Sequence, residues 1–136
     1  MKKFTSKLLL PVMILVMVVG LVACGGKQYS SVSDYLNSDE VKTELSNAQK
    51  SLDGSGISVE VTADGDKMVY TYNCENLEKS DELVTAMESQ LSKADATFQS
   101  GANQMKEFVD VENGQIEVIY LDKNGETICS KTYTAQ

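Results

Sequence analysis

Apolar residues fall along this chain in one dense block near the start and, after it, in alternating helical and strand periods. The block runs from Leu8 to Val22 without a charge and follows Lys2, Lys3 and Lys7. Beyond Gly25-Gly26, Val41, Leu45, Ala48 and Leu52 recur at spacings of four, three and four, the repeat of one helix face. Ser38 stands where an N-cap is needed, with Asp39 and Glu40 in the first turn, where the helix dipole favours acids. Val32, Tyr35 and Leu36 predict one further helical turn upstream, and Asp53-Gly54-Ser55-Gly56 stops the helix.

The period then changes to two. Ile57, Val59 and Val61 alternate with polar residues, Asp64-Gly65 follows, and Met68, Tyr70 and Tyr72 alternate on the way back. Asp-Gly between alternating runs predicts a hairpin. A two-residue loop puts the two apolar sets on one face, whereas a three-residue loop with a bulge shifts that register by one. After Ser80, another cap with Asp81 and Glu82 behind it, the stripe Leu83, Met87, Leu91, Ala94, Phe98, Ala102, Met105 predicts one continuous helix to about Phe108 or Val109. Gly101 is its weak point near the end. Asn113-Gly114 turns the chain into Ile116–Leu121. Asp122–Glu126 turns it again, and Thr127–Tyr133 completes a second hairpin.

The order helix–hairpin–helix–hairpin, with similar turns at Asp64-Gly65 and Asn124-Gly125, reads as two αββ units, about 32–75 and about 80–134. The expected fold is α+β: one four-stranded antiparallel sheet with two helices packed on one face, the simplest way to bury every apolar face.

The leading block falls short of the roughly 20 apolar residues a spanning helix needs, and Pro11 and Gly20 interrupt it. It ends in Leu21-Val22-Ala23-Cys24-Gly25-Gly26. This resembles the lipobox of bacterial lipoproteins, in which a small residue precedes the cysteine. The resemblance implies a diacylglyceryl group on the Cys24 sulfur and cleavage just before it, with Leu21, Val22, Ala23 and Gly25 as the recognition residues. Residues 1–23 are then a removed signal, 24–31 a lipidated Cys and short tether, and 32–136 a single domain. Residues 25–31 extend at most roughly 25 Å, so the domain sits close to the membrane surface. Tyr29 belongs either to the tether or to the domain. Together with Tyr29-Ser-Ser-Val-Ser-Asp-Tyr-Leu-Asn-Ser-Asp-Glu-Val41 and the Val69-Tyr-Thr-Tyr72 strand, the lipobox is similar to a family of small uncharacterised lipoproteins from Gram-positive bacteria. That resemblance implies a location and a fold shape, and no catalytic residue.

Charge narrows the function classes. The chain carries −8, and loss of the signal removes three lysines and no acid, so the exported part is more acidic still. It has no Arg, His or Trp. Phosphate binding needs clustered cations, so nucleic acid is excluded as a partner, and only the lipid offers membrane contact. With no His there is no common general base and no activator for a thiol. Cys74 and Cys129 form either a disulfide, as an exported pair can, or two buried free thiols, which their strand positions favour. Asp64-Gly-Asp66 and Asp122-Lys-Asn-Gly-Glu126 offer hard oxygen ligands, but the second lacks the later ligands of a calcium loop, and turn chemistry accounts for both. No metal or cofactor is expected beyond the covalent diacylglycerol on Cys24. Tyr70, Tyr72, Tyr120 and Tyr133 either close the core, as strand aromatics usually do, or form a contact platform. The expected function is a non-enzymatic binding or interaction module on the extracytoplasmic face of the cell membrane. It would contact an envelope protein or the cell wall through the sheet face that the helices leave uncovered. The alternatives are a small inhibitor or chaperone-like partner of one exported protein and, behind it, an envelope hydrolase.

Overall fold

The structure is a computed structural model that describes residues 29–136. The expected export signal, with Leu21, Val22 and Ala23, and the expected lipidation site at Cys24, with Gly25, lie outside the described residues. The chain forms α1 (Val32–Leu36), α2 (Asp39–Ser51), β1 (Ile57–Asp64), β2 (Lys67–Cys74), α3 (Asp81–Lys93), α4 (Asp95–Phe108), β3 (Gln115–Leu121) and β4 (Thr127–Thr134).

Capping sets the helix starts. Ser31, Ser38 and Ser80 each hold extended backbone, and their hydroxyls accept the N–H groups of Asp34, Val41 and Leu83. Each satisfies a donor that the first turn leaves free. In β1–β2 the loop is the two-residue Gly65-Asp66, with Asp64 opposite Lys67 and Gly65 at φ 62°. Val59 therefore lies opposite Tyr72 and Val61 opposite Tyr70, the unshifted register.

The α+β class and the single four-stranded sheet stand as expected, with two differences. The strand order is β1-β2-β3-β4, and the central pair β2·β3 is parallel, with Met68 beside Ile116 and Tyr72 beside Tyr120. The sheet is thus mixed instead of fully antiparallel. After Cys74 the chain must cross the whole sheet to start β3 beside Lys67, and the α3–α4 segment makes that crossing. A helical crossover of this kind joins parallel strands.

The long second helix is also two helices. Its stripe is intact: Leu83, Met87, Leu91, Ala94, Phe98, Ala102 and Met105 are all buried. The break falls at Ala94 (φ −96°, ψ 4°), not at Gly101. One straight rod over Asp81–Phe108 would measure ~42 Å, whereas strands of this length span ~25 Å. Breaking the rod keeps the full stripe on the shorter sheet. Gly101 instead permits close approach, because a Cβ there would lie 3.3 Å from Ile116 Cδ1.

One continuous core results. Met68, Tyr70, Tyr72 and Cys74 of β2 and Ile116, Val118 and Tyr120 of β3 are buried with Val32, Tyr35, Val41 and Leu52 and with the α3–α4 stripe. A register shift between Tyr120 and Leu121 bulges β4, so that Ile128 and Cys129, although consecutive, are both buried.

Candidate interaction surface

The strand aromatics are not available for contact. Tyr70 and Tyr72 are 1% and 0% exposed, and Tyr120 and Tyr133 are buried too. The Phe98 ring meets Tyr70 edge-on at 6.0 Å and stacks on Tyr133 at 5.4 Å, while Tyr72 and Tyr120 lie 5.0 Å apart. Such offset and edge-on pairs contribute beyond the area they bury. Burial holds the phenols of Tyr72, Tyr120 and Tyr133 well above their ordinary range, so they stay neutral. The four strand tyrosines close the core.

The other side of the sheet is different. Lys67, Val69, Thr71 and Asn73 on β2 and Gln115, Glu117, Ile119 and Leu121 on β3 are half-buried, and none is fully buried. Thr71 lies beside Ile119, flanked by Glu60 on β1 and Ser130 on β4. The neighbouring row is Thr62, Val69, Glu117 and Thr132. The centre of this face is thus aliphatic (Val69, Ile119), with hydroxyls around it and Leu121 at the end of β3. The Lys67 ammonium lies 3.1 Å from Glu117, and Gln115 donates to the Thr134 hydroxyl at 3.1 Å. Both pairs are part of the face itself.

The polar constellations suggested by the sequence are structural joints. Asp122 is buried. Its Oδ1 accepts the N–H of Asn124 at 2.8 Å and of Glu126 at 2.9 Å, and its Oδ2 accepts that of Lys79 at 3.0 Å. These donors, Lys79 first, hold its carboxyl below the usual range. Asp66 likewise accepts the Asn113 N–H, at 3.2 Å, and joins the first hairpin to the segment entering β3. Asp95, at the α3–α4 break, accepts from Lys131 at 2.9 Å and from the Tyr133 hydroxyl at 2.7 Å. Its carboxyl is lowered, first by the Tyr133 bond and then by Lys131. Sequence reasoning did not bring Asp95 and Tyr133 together, because their meeting depends on where the helix breaks.

Cys74 and Cys129 are buried free thiols. They sit on β2 and β4 with β3 between them. Two strand spacings, roughly 9–10 Å, exceed the ~7 Å Cα separation a disulfide tolerates. The bonded alternative is therefore set aside. Burial pushes Cys74 up to about 11 and Cys129 up to about 12, so neither forms a thiolate near neutrality.

Tyr29 belongs to the domain. It bridges Val109 in parallel, its carbonyl accepts the Asp110 N–H at 2.9 Å, and its ring meets Tyr35 edge-on at 5.1 Å. The chain therefore enters beside Val109, at the end of the sheet where β2 and β3 begin. No helix among the described residues is long and apolar enough to cross a membrane.

Residues 32–133 match a family described as Domain of unknown function (DUF4854). The chain belongs to that family. The match begins at the first residue of α1 and ends on Tyr133 of β4, so the DUF4854 unit is the whole helix–sheet body just described. Comparisons with curated proteins and with solved structures give no match.

Proposed function

We propose that this DUF4854 chain is a lipid-anchored envelope protein, tethered through Cys24 on the extracytoplasmic face of the cell membrane, whose domain is a non-enzymatic binding module. The partner is an envelope protein or a cell-wall polymer, met by the half-buried sheet face. One observation carries this reading. The large aromatic residues of the strands lie inside, while Val69 and Ile119 remain half-buried in the middle of a hydroxyl-rich sheet face and Leu121 half-buried at its end. A flat surface with an apolar centre and a polar rim has the anatomy of a protein contact. The acids at notable positions support the non-enzymatic part, since Asp122, Asp66 and Asp95 are each occupied by donors of the fold. With Tyr29 already docked, only residues 25–28 separate Cys24 from the domain, a reach of roughly 14 Å. A module held this close meets partners at or near the membrane surface.

The test compares the full chain with Thr71→Lys and Ile119→Lys in capture on the membrane and wall fraction of the producing cell. Lys50→Glu on α2 is the control. The sheet variants should lose capture about tenfold while melting within a few degrees of the parent, as hot-spot losses do. Loss in the control with retention in the sheet variants would place the contact elsewhere.

A further inference from the structure

The two edges of the sheet are protected very unequally. On β4 the bulge at Ile128 disrupts the edge, the exposed Lys131 lies along it, and the Gln99 side chain donates to the Thr134 carbonyl at 2.7 Å. Bulges and lysines are the usual guards against a strand adding to an edge. On β1 the guard covers only the first half. There the Val59 N–H donates to Gln49 Oε1 of α2 at 3.1 Å, and the Ile57 N–H donates to the Ser55 hydroxyl.

Since the Val59 N–H points away from β2, alternation directs the backbone groups of Val61 and Ala63 outward as well. α1 packs against β1, yet Ala63 stays exposed and Val61 only half-buried, and among the described residues no lysine, proline or bulge falls on this half of the strand. The residues between them on the other face, Glu60, Thr62 and Asp64, are exposed, and both charges there are negative.

We infer that the outer half of β1, Glu60–Asp64, accepts an added strand from a partner protein: an extended segment with cations on alternate positions and apolar side chains between them. The backbone of Val61 and Ala63 supplies the ladder, Glu60 and Asp64 face the cations, and the apolar residues continue the row of Val59 and Val61. Strand addition of this kind takes its affinity from main-chain bonds and its specificity from alternate side chains. A second copy fits poorly. Antiparallel pairing of β1 with itself about Thr62 sets Glu60 against Asp64 at both ends, and like charges directly opposite are destabilising. Glu60, Thr62 and Asp64 are also the rim of the sheet face assigned above, so this inference rests on the binding-module reading and names the partner's chemistry.

The probe is a synthetic peptide of alternating Lys and Val, added to the isotope-labelled full chain in detergent micelles and followed by amide exchange in NMR. The Val61 and Ala63 amides should gain protection at least tenfold, and N-methylation on the peptide edge that faces β1 should abolish the gain. The same modification on the opposite edge should not. Val61→Pro, which removes an N–H that β2 does not use, and the pair Glu60→Lys with Asp64→Lys should each remove the protection while leaving the β2 and β3 amides unchanged. A peptide of alternating Glu and Val should give none. Absence of protection at millimolar peptide, or protection indifferent to N-methylation, overturns the inference. A peptide-independent dimer abolished by Val61→Pro overturns it in favour of a second copy. If the peptide binds β1 yet Ile119→Lys leaves envelope capture intact, the edge stands and the sheet-face reading fails.

Discussion

The carboxylate of Asp122 accepts the backbone N–H of Lys79 at 3.0 Å across 43 residues of sequence. The Lys123 N–H returns to the Leu77 carbonyl at 2.8 Å, so the β3–β4 turn and the segment leaving β2 are stitched together at one end of the sheet.

Asp122→Ala should therefore lower the melting temperature, since three backbone donors lose the acceptor that the Asp122 side chain supplies. The folded state holds this carboxyl below its unfolded value, so its contribution is present above the unfolded pKa and is lost as pH falls through the folded one. The gap between parent and variant should be widest near neutrality and close in acid. Thermal melts across that range check it, and a gap that widens in acid would contradict it.

Phe98 joins helix to sheet through Tyr70 and Tyr133. Phe98→Ala leaves a cavity between α4 and the strands and should cost about 3–5 kcal/mol, measured by denaturant unfolding. That is a large share of the roughly 5–15 kcal/mol a small domain possesses.

Asp95 and Tyr133 make a second test by titration. Tyr133→Phe removes the largest influence lowering the Asp95 carboxyl, so its NMR titration should move up toward the usual carboxylate range. The part of stability that disappears as pH falls through the Asp95 titration should shrink with it. An unchanged titration would mean that Lys131 alone sets the value.

Both strand thiols should resist alkylation until the domain unfolds, because burial lifts them to about 11 and about 12. Mass mapping of the Cys74 and Cys129 peptides after native and denatured iodoacetamide treatment reads this directly. Native labelling, or a bridged peptide after mild oxidation, would contradict the buried, separated placement.

Local chemistry was legible in the sequence where it acts over a few residues. Ser38 and Ser80 cap the helices that their spacing predicts, and Asp64-Gly65 makes the hairpin in the register a two-residue loop requires. Alternation also separated the buried Met68, Tyr70 and Tyr72 from Val69 and Thr71 on the open face. A period of two tells which face a residue joins and says nothing about which strand lies beside it. The parallel pairing of β2 with β3 was therefore out of reach. The break at Ala94 was hidden for another reason. Alanine is the best helix former, and the interruption comes from fitting a long stripe to a short sheet. From the sequence the docking of Tyr29 stays open between tether and domain, because its partners Val109 and Asp110 are distant along the chain.

Mass spectrometry of the N-terminal peptide from the producing cell reads directly whether the domain is held at the membrane by lipid on Cys24, as proposed. The mature chain should begin at Cys24 and carry a diacylglyceryl thioether, and Cys24→Ala should yield no lipidated species and leave the membrane fraction. A mature chain that retains residues 1–23, or one that begins elsewhere with Cys24 unmodified, would contradict the proposed anchor.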